Sequence, residues 1–133
     1  MSAVVTDTHA LLWYLNNNPL LSAPARTAFE NAEQTGQPIY VPSIVIVEMR
    51  YLVEKRTITE ANYKTVLAEL RDPATAPTVI PLDTEIADAL EQIVRADVPD
   101  MPDRIIAATA HYLGLPLVTR DSKITASGIH TIW

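Results

Sequence analysis

Apolar residues follow two rhythms along this chain. Short β-branched runs alternate with longer stretches of helical spacing. Ala3-Val4-Val5 has no polar alternation and fits a strand buried on both faces. Thr8–Leu15 reads as a short helix, with Leu11, Leu12 and Leu15 three and four apart. Asn16-Asn17-Asn18-Pro19 ends it as a turn. Ser22 and Pro24 open a second helix to about Gln34, which Gly36 and Pro38 close. Ile39-Tyr40-Val41 is the second strand, ended by Pro42 because proline cannot donate to a sheet ladder. Ser43 is placed to cap a helix from Ile44 to about Lys55, and Thr59 to cap another through Leu70. Asp72-Pro73 and Pro77 bound a loop before the third strand, Thr78-Val79-Ile80. Asp83 caps the next helix, where Ile86, Ala89, Leu90, Ile93 and Val94 follow the amphipathic template throughout. After the turn Pro99–Pro102, a helix is predicted over Asp103–Leu113, stopped by Gly114. Leu115–Thr119 is the fourth strand, and Ile129–Trp133 the last, with a short linking segment between them.

Strands separated by helices cannot be hairpins. The order β-α-α-β-α-α-β-α-α-β-β therefore predicts an α/β fold with a parallel sheet and helices on both faces. With 133 residues, no repeat and no composition break, residues 1–133 are expected to form one domain.

Composition narrows the classes. The chain is 48% apolar, so it is expected to build a packed core rather than remain disordered. No apolar run reaches the ~20 residues of a membrane helix, and no secretory signal is expected, which makes the cytoplasm the default location. The absence of cysteine excludes disulfides, zinc–cysteine sites and a thiol nucleophile. A net charge of −6 is the wrong sign for a phosphate-binding surface unless carboxylates hold cations, since two divalent ions would offset four of those charges.

Four acids fall at junctions on one end of the expected sheet. Asp7 follows the first strand, and Asp121 follows the fourth. Glu48 lies about one turn into the helix after the second strand. Asp103 begins the helix before the fourth strand, which must run antiparallel to it and so starts at the same carboxyl rim. Ligands bind at that rim in open α/β sheets. Each acid also has a local reading. Asp7 can cap a helix, Asp103 can complement a helix dipole, Glu48 can be solvated and Asp121 can sit in a turn. Their joint placement favours a site. Clustered carboxylates repel one another, and an all-oxygen site suits a hard cation, Mg²⁺ or Mn²⁺.

The ordered set Asp7-Thr-His-Ala-Leu-Leu-Trp13, Ser43–Glu48, Asp103-Arg-Ile-Ile-Ala-Ala-Thr-Ala110 and Leu117-Val-Thr-Arg-Asp121 resembles the PIN-domain nucleases. Within them it is most similar to VapC-type toxins of bacterial toxin–antitoxin pairs. The resemblance spans essentially the whole chain, including Thr131-Ile-Trp133. It implies a three-layer α/β/α sandwich and Mg²⁺- or Mn²⁺-dependent endonucleolytic cleavage of RNA. It implies that Asp7, Glu48, Asp103 and Asp121 form the metal site. A cognate antitoxin across the groove, and a homodimer, are implied as partners. Lys123 stands where many relatives carry a further acid, and Asp100 matches an acid often found before the helix aspartate.

Around these acids several residues have two readings. Thr8 and Thr119 are able to orient ligands, although Thr119 also suits a plain strand position. Arg50, Arg104, Arg120 and Lys123 are candidate phosphate contacts or solvated charges. His9 reads as a packing residue, because metal hydrolysis needs no histidine base. Trp13, Tyr14, Tyr51 and Leu52 fit either a partner contact or the core. No base-reading or aromatic stacking element stands out. Two other classes stay open, a phosphoacceptor regulatory domain and a non-catalytic PIN-like binding module. The phosphoacceptor class would need a lysine after a later strand.

Overall fold

A computed structural model describes residues 2–133. Five strands form one parallel sheet: β1 (Val4–Thr6), β2 (Ile39–Pro42), β3 (Pro77–Ile80), β4 (Leu117–Val118) and β5 (Thr131–Ile132). Their spatial order is β3-β2-β1-β4-β5. The chain thus builds outward from β1 to β3 and then crosses back to lay β4 on the other side of β1. Val5 pairs with Tyr40 of β2 and with Leu117 of β4.

Both faces of the sheet are covered, which is why its strands are apolar without alternation. Val5 and Leu117 face one core, with Val45 and Met49 of α3 (Ile44–Glu54). Val66 and Leu70 of α4 (Glu60–Arg71) and Ile106, Ala107 and Ala110 of α6 (Met101–Leu113) complete it. Val4, Ile39 and Val118 face the other, against Ala25, Phe29 and Ala32 of α2 (Ala23–Gln34). The helix α1 (Thr8–Leu15) straddles the two, giving Leu11 and Leu12 to the first core and Ala10 to the second. These are the three layers of an α/β/α sandwich. The helix α6 is buried at every position from Ile105 to Ala110, and its alanines let it lie close to the sheet.

Local chemistry explains most boundaries. Asp7, Ser22, Thr59 and Asp83 each accept a backbone N–H three residues on and cap the helices expected of them. Five expectations change. Ser43 makes no side-chain cap; its hydroxyl instead accepts the N–H of Leu82 at 3.0 Å. Pro42 belongs to β2, paired with Ile80, and Ser43 continues the contact by donating to the Ile80 carbonyl. The helix α6 starts at Met101 rather than Asp103, because Asp100 accepts the N–H of Asp103 and Pro102 sits in the first turn, where a missing donor costs nothing. The last two strands are shorter than expected, two residues each for β4 and β5. The linking segment before β5 is the helix α7 (Ser122–Ala126).

The fifth change is the largest. The apolar template from Ile86 to Val94 predicts one continuous helix, yet α5 (Thr84–Ala89) gives way to a single 3-10 turn at Leu90–Gln92. Ile93 is extended and buried, whereas Val94 is exposed. The cause is Arg104 on α6. Its guanidinium donates to the carbonyls of Ile93 and Leu90, each at 2.9 Å. The Ile93 carbonyl closes the helical run, and the Leu90 carbonyl accepts the N–H of Ile93 as well as Arg104. Arg104 is therefore an internal clasp and not a phosphate contact. Replacing Arg104 by Met should remove two charge-assisted bonds and cost about 2–3 kcal/mol. Urea unfolding of the variant should show the lowered midpoint, and an unchanged midpoint would mean the clasp adds no stability.

Candidate active site

The strand order reverses between β1 and β4, and the carboxyl ends of these two strands open into a cleft of about 460 Å³. Asp7, Glu48, Asp103 and Asp121 all line it, together with Asp100. The four acids singled out from the sequence are thus brought to one place. Asp83 is not among the lining residues, and it serves as the cap of α5 beside the edge strand β3. No lysine lines the cleft among the described residues, so the constellation a phosphoacceptor needs is not assembled there.

Asp7 leaves the end of β1 and caps α1, so one residue serves the helix and faces the cleft. Its Oδ1 accepts the N–H of Ala10 at 2.8 Å. Its Oδ2 accepts the Thr119 hydroxyl at 2.5 Å. Thr119 Oγ1 in turn accepts the backbone N–H of Asp121 at 3.0 Å. Thr119 is buried, and it links the two aspartates across the β1–β4 seam. Thr8 does the same for the next acid, donating to Glu48 Oε1 at 2.5 Å. Both threonines orient carboxylates, which the plain strand reading of Thr119 does not capture. Asp121 also caps α7, accepting the N–H of Lys123 at 2.8 Å.

On the far wall, oxygens of Glu48, Asp100 and Asp103 lie within 4.8 Å of one another. Asp100 is the member that sequence reasoning left unassigned. Its signal was the N-cap position three residues before Asp103, which sets both carboxyls at one helix start.

This crowding shows in the acid–base behaviour. Burial raises the Asp7 carboxyl above its usual range, against the stabilising bonds from Thr119 and Ala10. Burial likewise raises Glu48, opposed by the Thr8 hydroxyl and reinforced by the charge of Asp100. Asp103 is pushed up to about 7, by burial first and then by the charges of Asp100, Asp121 and Glu48. Carboxyls held this way lack compensating positive charge. The donor set is all oxygen, convergent and acidic, and it fits a hard divalent cation.

Residues of another chemistry complete the lining. His9, Trp13 and Arg120 border the same cleft. The Arg120 guanidinium lies over the Trp13 ring, 4.7 Å from its centroid. Trp13 also meets His9 at 5.6 Å and Trp133 at 5.8 Å between ring centroids. Arg50 is elsewhere, paired with Glu60 at 3.1 Å and over the Tyr63 ring, and so is not part of the site. Lys123 borders a separate hollow beside Asp97 and Pro99. Tyr14 packs on Phe29 and bonds Glu33, a structural role, while Tyr51 is exposed beside a groove next to the cleft.

Fold and cleft together define an α/β protein that gathers acids at the switch point of a parallel sheet. The chain belongs to the PIN domain family, whose model matches residues 4–127. It is similar to Ribonuclease VapC22 of Mycobacterium tuberculosis, with 28% identity over 124 residues, 93% of this chain and 91% of that protein. In solved structures the same fold occurs in VapBC2 from Rickettsia felis bound to a DNA fragment from its promoter. There the TM-score is 0.72 at 18% identity, covering 97% of this chain and 96% of that one. A toxin–antitoxin complex from Klebsiella pneumoniae gives a TM-score of 0.59 at 24% identity over 92% and 90% of the two chains.

The raised Asp103 has a stability consequence. Between the ordinary carboxylate value of 3.8 and about 7, the folded protein holds a proton that the unfolded chain releases. Stability of the metal-free protein should therefore fall as pH rises through that window, with the full cost present above it. Thermal unfolding in chelator at pH 5 and pH 7.5 should show the drop, and Asp103→Asn should remove most of it. A profile equally steep in the variant would assign the drop to other groups.

Proposed function

We propose that this chain is a divalent-metal-dependent endoribonuclease of the VapC type, the toxin half of a toxin–antitoxin pair acting in the cytoplasm. The observation that carries the reading is the convergence of Asp7, Glu48, Asp103 and Asp121 on one cleft at the sheet's switch point. Residues 1–133 act as a single nuclease domain. Mg²⁺ or Mn²⁺ would be held by these four carboxylates, with Asp100 beside them. When bound, such an ion neutralises phosphodiester charge and lowers the pKa of water, so no side chain need be a covalent nucleophile.

The chain's own residues prepare that chemistry. Thr119 fixes Asp7, and through the Asp121 N–H it fixes the second aspartate's backbone. Thr8 holds one oxygen of Glu48 and leaves the other to face a ligand. The substrate would be RNA, as the name of the mycobacterial relative states for that protein. The partner would be a cognate antitoxin, as in the solved toxin–antitoxin complex, and the active chain would be a homodimer. A non-catalytic binding module is less well supported, because it has no use for carboxyls held at such electrostatic cost.

Asp7→Asn removes a ligand charge at nearly constant volume and keeps the α1 cap. It should lower Mn²⁺-supported RNA cleavage by at least about 100-fold while leaving the circular dichroism spectrum unchanged. Full activity in that variant would end the nuclease reading. Thr119→Val should weaken Mn²⁺ binding by about 10- to 100-fold in calorimetry, the usual effect of losing a ligand's orienting partner. Wild-type affinity would show that Asp7 needs no such support.

A further inference from the structure

The cleft has two chemically different walls. One is carboxylate: Glu48, Asp100, Asp103 and Asp121, with Asp7 at the strand end. The other is aromatic and cationic: Trp13 and Arg120. Arg120 is the informative residue. It is exposed, and it follows Thr119 directly and precedes Asp121 in the chain. Yet among the described residues it forms no ion pair, although five carboxylates line the same cleft. Its guanidinium sits over the Trp13 indole instead. Trp13 is itself held by Trp133 and His9, so the support beneath the guanidinium is fixed on two sides. An exposed planar cation over an indole is a surface for a flat π system.

We propose that Arg120, seated on Trp13, is the stacking platform for one nucleobase of a single-stranded RNA substrate, next to the phosphate held at the carboxylate wall. The inference rests on the ribonuclease reading and adds to it a site for the base. A nucleotide is anionic at the phosphate and flat at the base, and the two walls divide the same way. Single-stranded RNA is commonly held by stacking on aromatic rings and arginine planes. Stacking is tolerant of base identity, because every base has a π face, so this wall selects unpaired strands rather than a letter. It differs from a phosphate contact in what it demands of Arg120. A phosphate contact needs charge, whereas a platform needs the plane that lysine lacks.

Short single-stranded RNA oligonucleotides with one cleavage point are the probe, cleaved in Mn²⁺ by the wild type, Arg120→Lys and Trp13→Phe. In the wild type, an abasic residue beside the cleavage point should raise KM by about 5- to 100-fold, the usual range for losing one stacked base. Arg120→Lys should raise KM on the intact oligonucleotide by a similar factor, with kcat and the salt dependence of KM little changed. In that variant the abasic residue should bring no further loss. Trp13→Phe, which keeps a ring under the guanidinium, should fall between the two. A wild-type KM in Arg120→Lys would overturn the platform, as would a full abasic penalty persisting in it, with the nuclease reading left standing. Failure of the wild type to cleave any RNA in Mn²⁺ would overturn the nuclease reading and the platform with it.

Discussion

The pairing of β1 with β4 is the constraint on which the rest of the molecule depends. Val5 meets Leu117 and Thr6 meets Val118. That contact sets Asp7 and Thr119 side by side, and the hydroxyl-to-carboxylate bond between them closes the seam. The helices then arrive by topology. A helix that follows a parallel strand begins at the carboxyl rim of the sheet, and Glu48 enters on α3 in this way. A helix that precedes a strand and runs antiparallel to it begins at the same rim, and α6 brings Asp100 and Asp103. No carboxylate is delivered by a long loop. Each stands on or directly beside a helix or strand of the sandwich, which is how acids that repel one another can be held in place.

The fold tolerates this repulsion because the cores beneath it are dense. Phe29, Leu11, Ile39, Met49, Ile106 and Leu117 are essentially inaccessible to solvent. No buried side-chain polar atom among the described residues lacks a hydrogen bond. The closest crowding of carboxylates thus lies in the open cleft, above these cores. This division is common where a site is built for a ligand that brings the missing charge.

Most of the fold was legible in the chain, for physical reasons that differ by element. Caps and punctuation marked α1, α2 and α4 well, because Asp7, Ser22 and Thr59 act on their own neighbours. The run from Ile86 to Val94 misled because periodicity records burial and not its cause. Ile93 is buried as the template requires, but in extended backbone held by an arginine eleven residues further on. The four acids were legible because topology alone gathers them. Asp100 was only partly so, since a cap and a cleft residue look alike in sequence. Trp13 and Arg120 stand more than a hundred residues apart and carry no local signal of their meeting. Arg50 and Arg104 show the converse, since charges offered to a ligand in sequence prove to be held by Glu60 and by two carbonyls.

The position of β4 late in the chain also sets a timetable for synthesis. The sheet's central strand is made before its neighbours, and the second of these, Leu117–Val118, follows more than a hundred residues later. Chains grow at about 5–20 residues per second and contacts of long sequence separation form late. A nascent chain stopped before residue 117 holds Asp7 and Glu48 but has neither Thr119 to orient Asp7 nor Asp121 to complete the cleft. A nascent chain therefore has no assembled cleft until that strand and the residues after it have been made. The cleft is completed only by the piece of chain from Thr119 to Asp121, as a property of chain order alone.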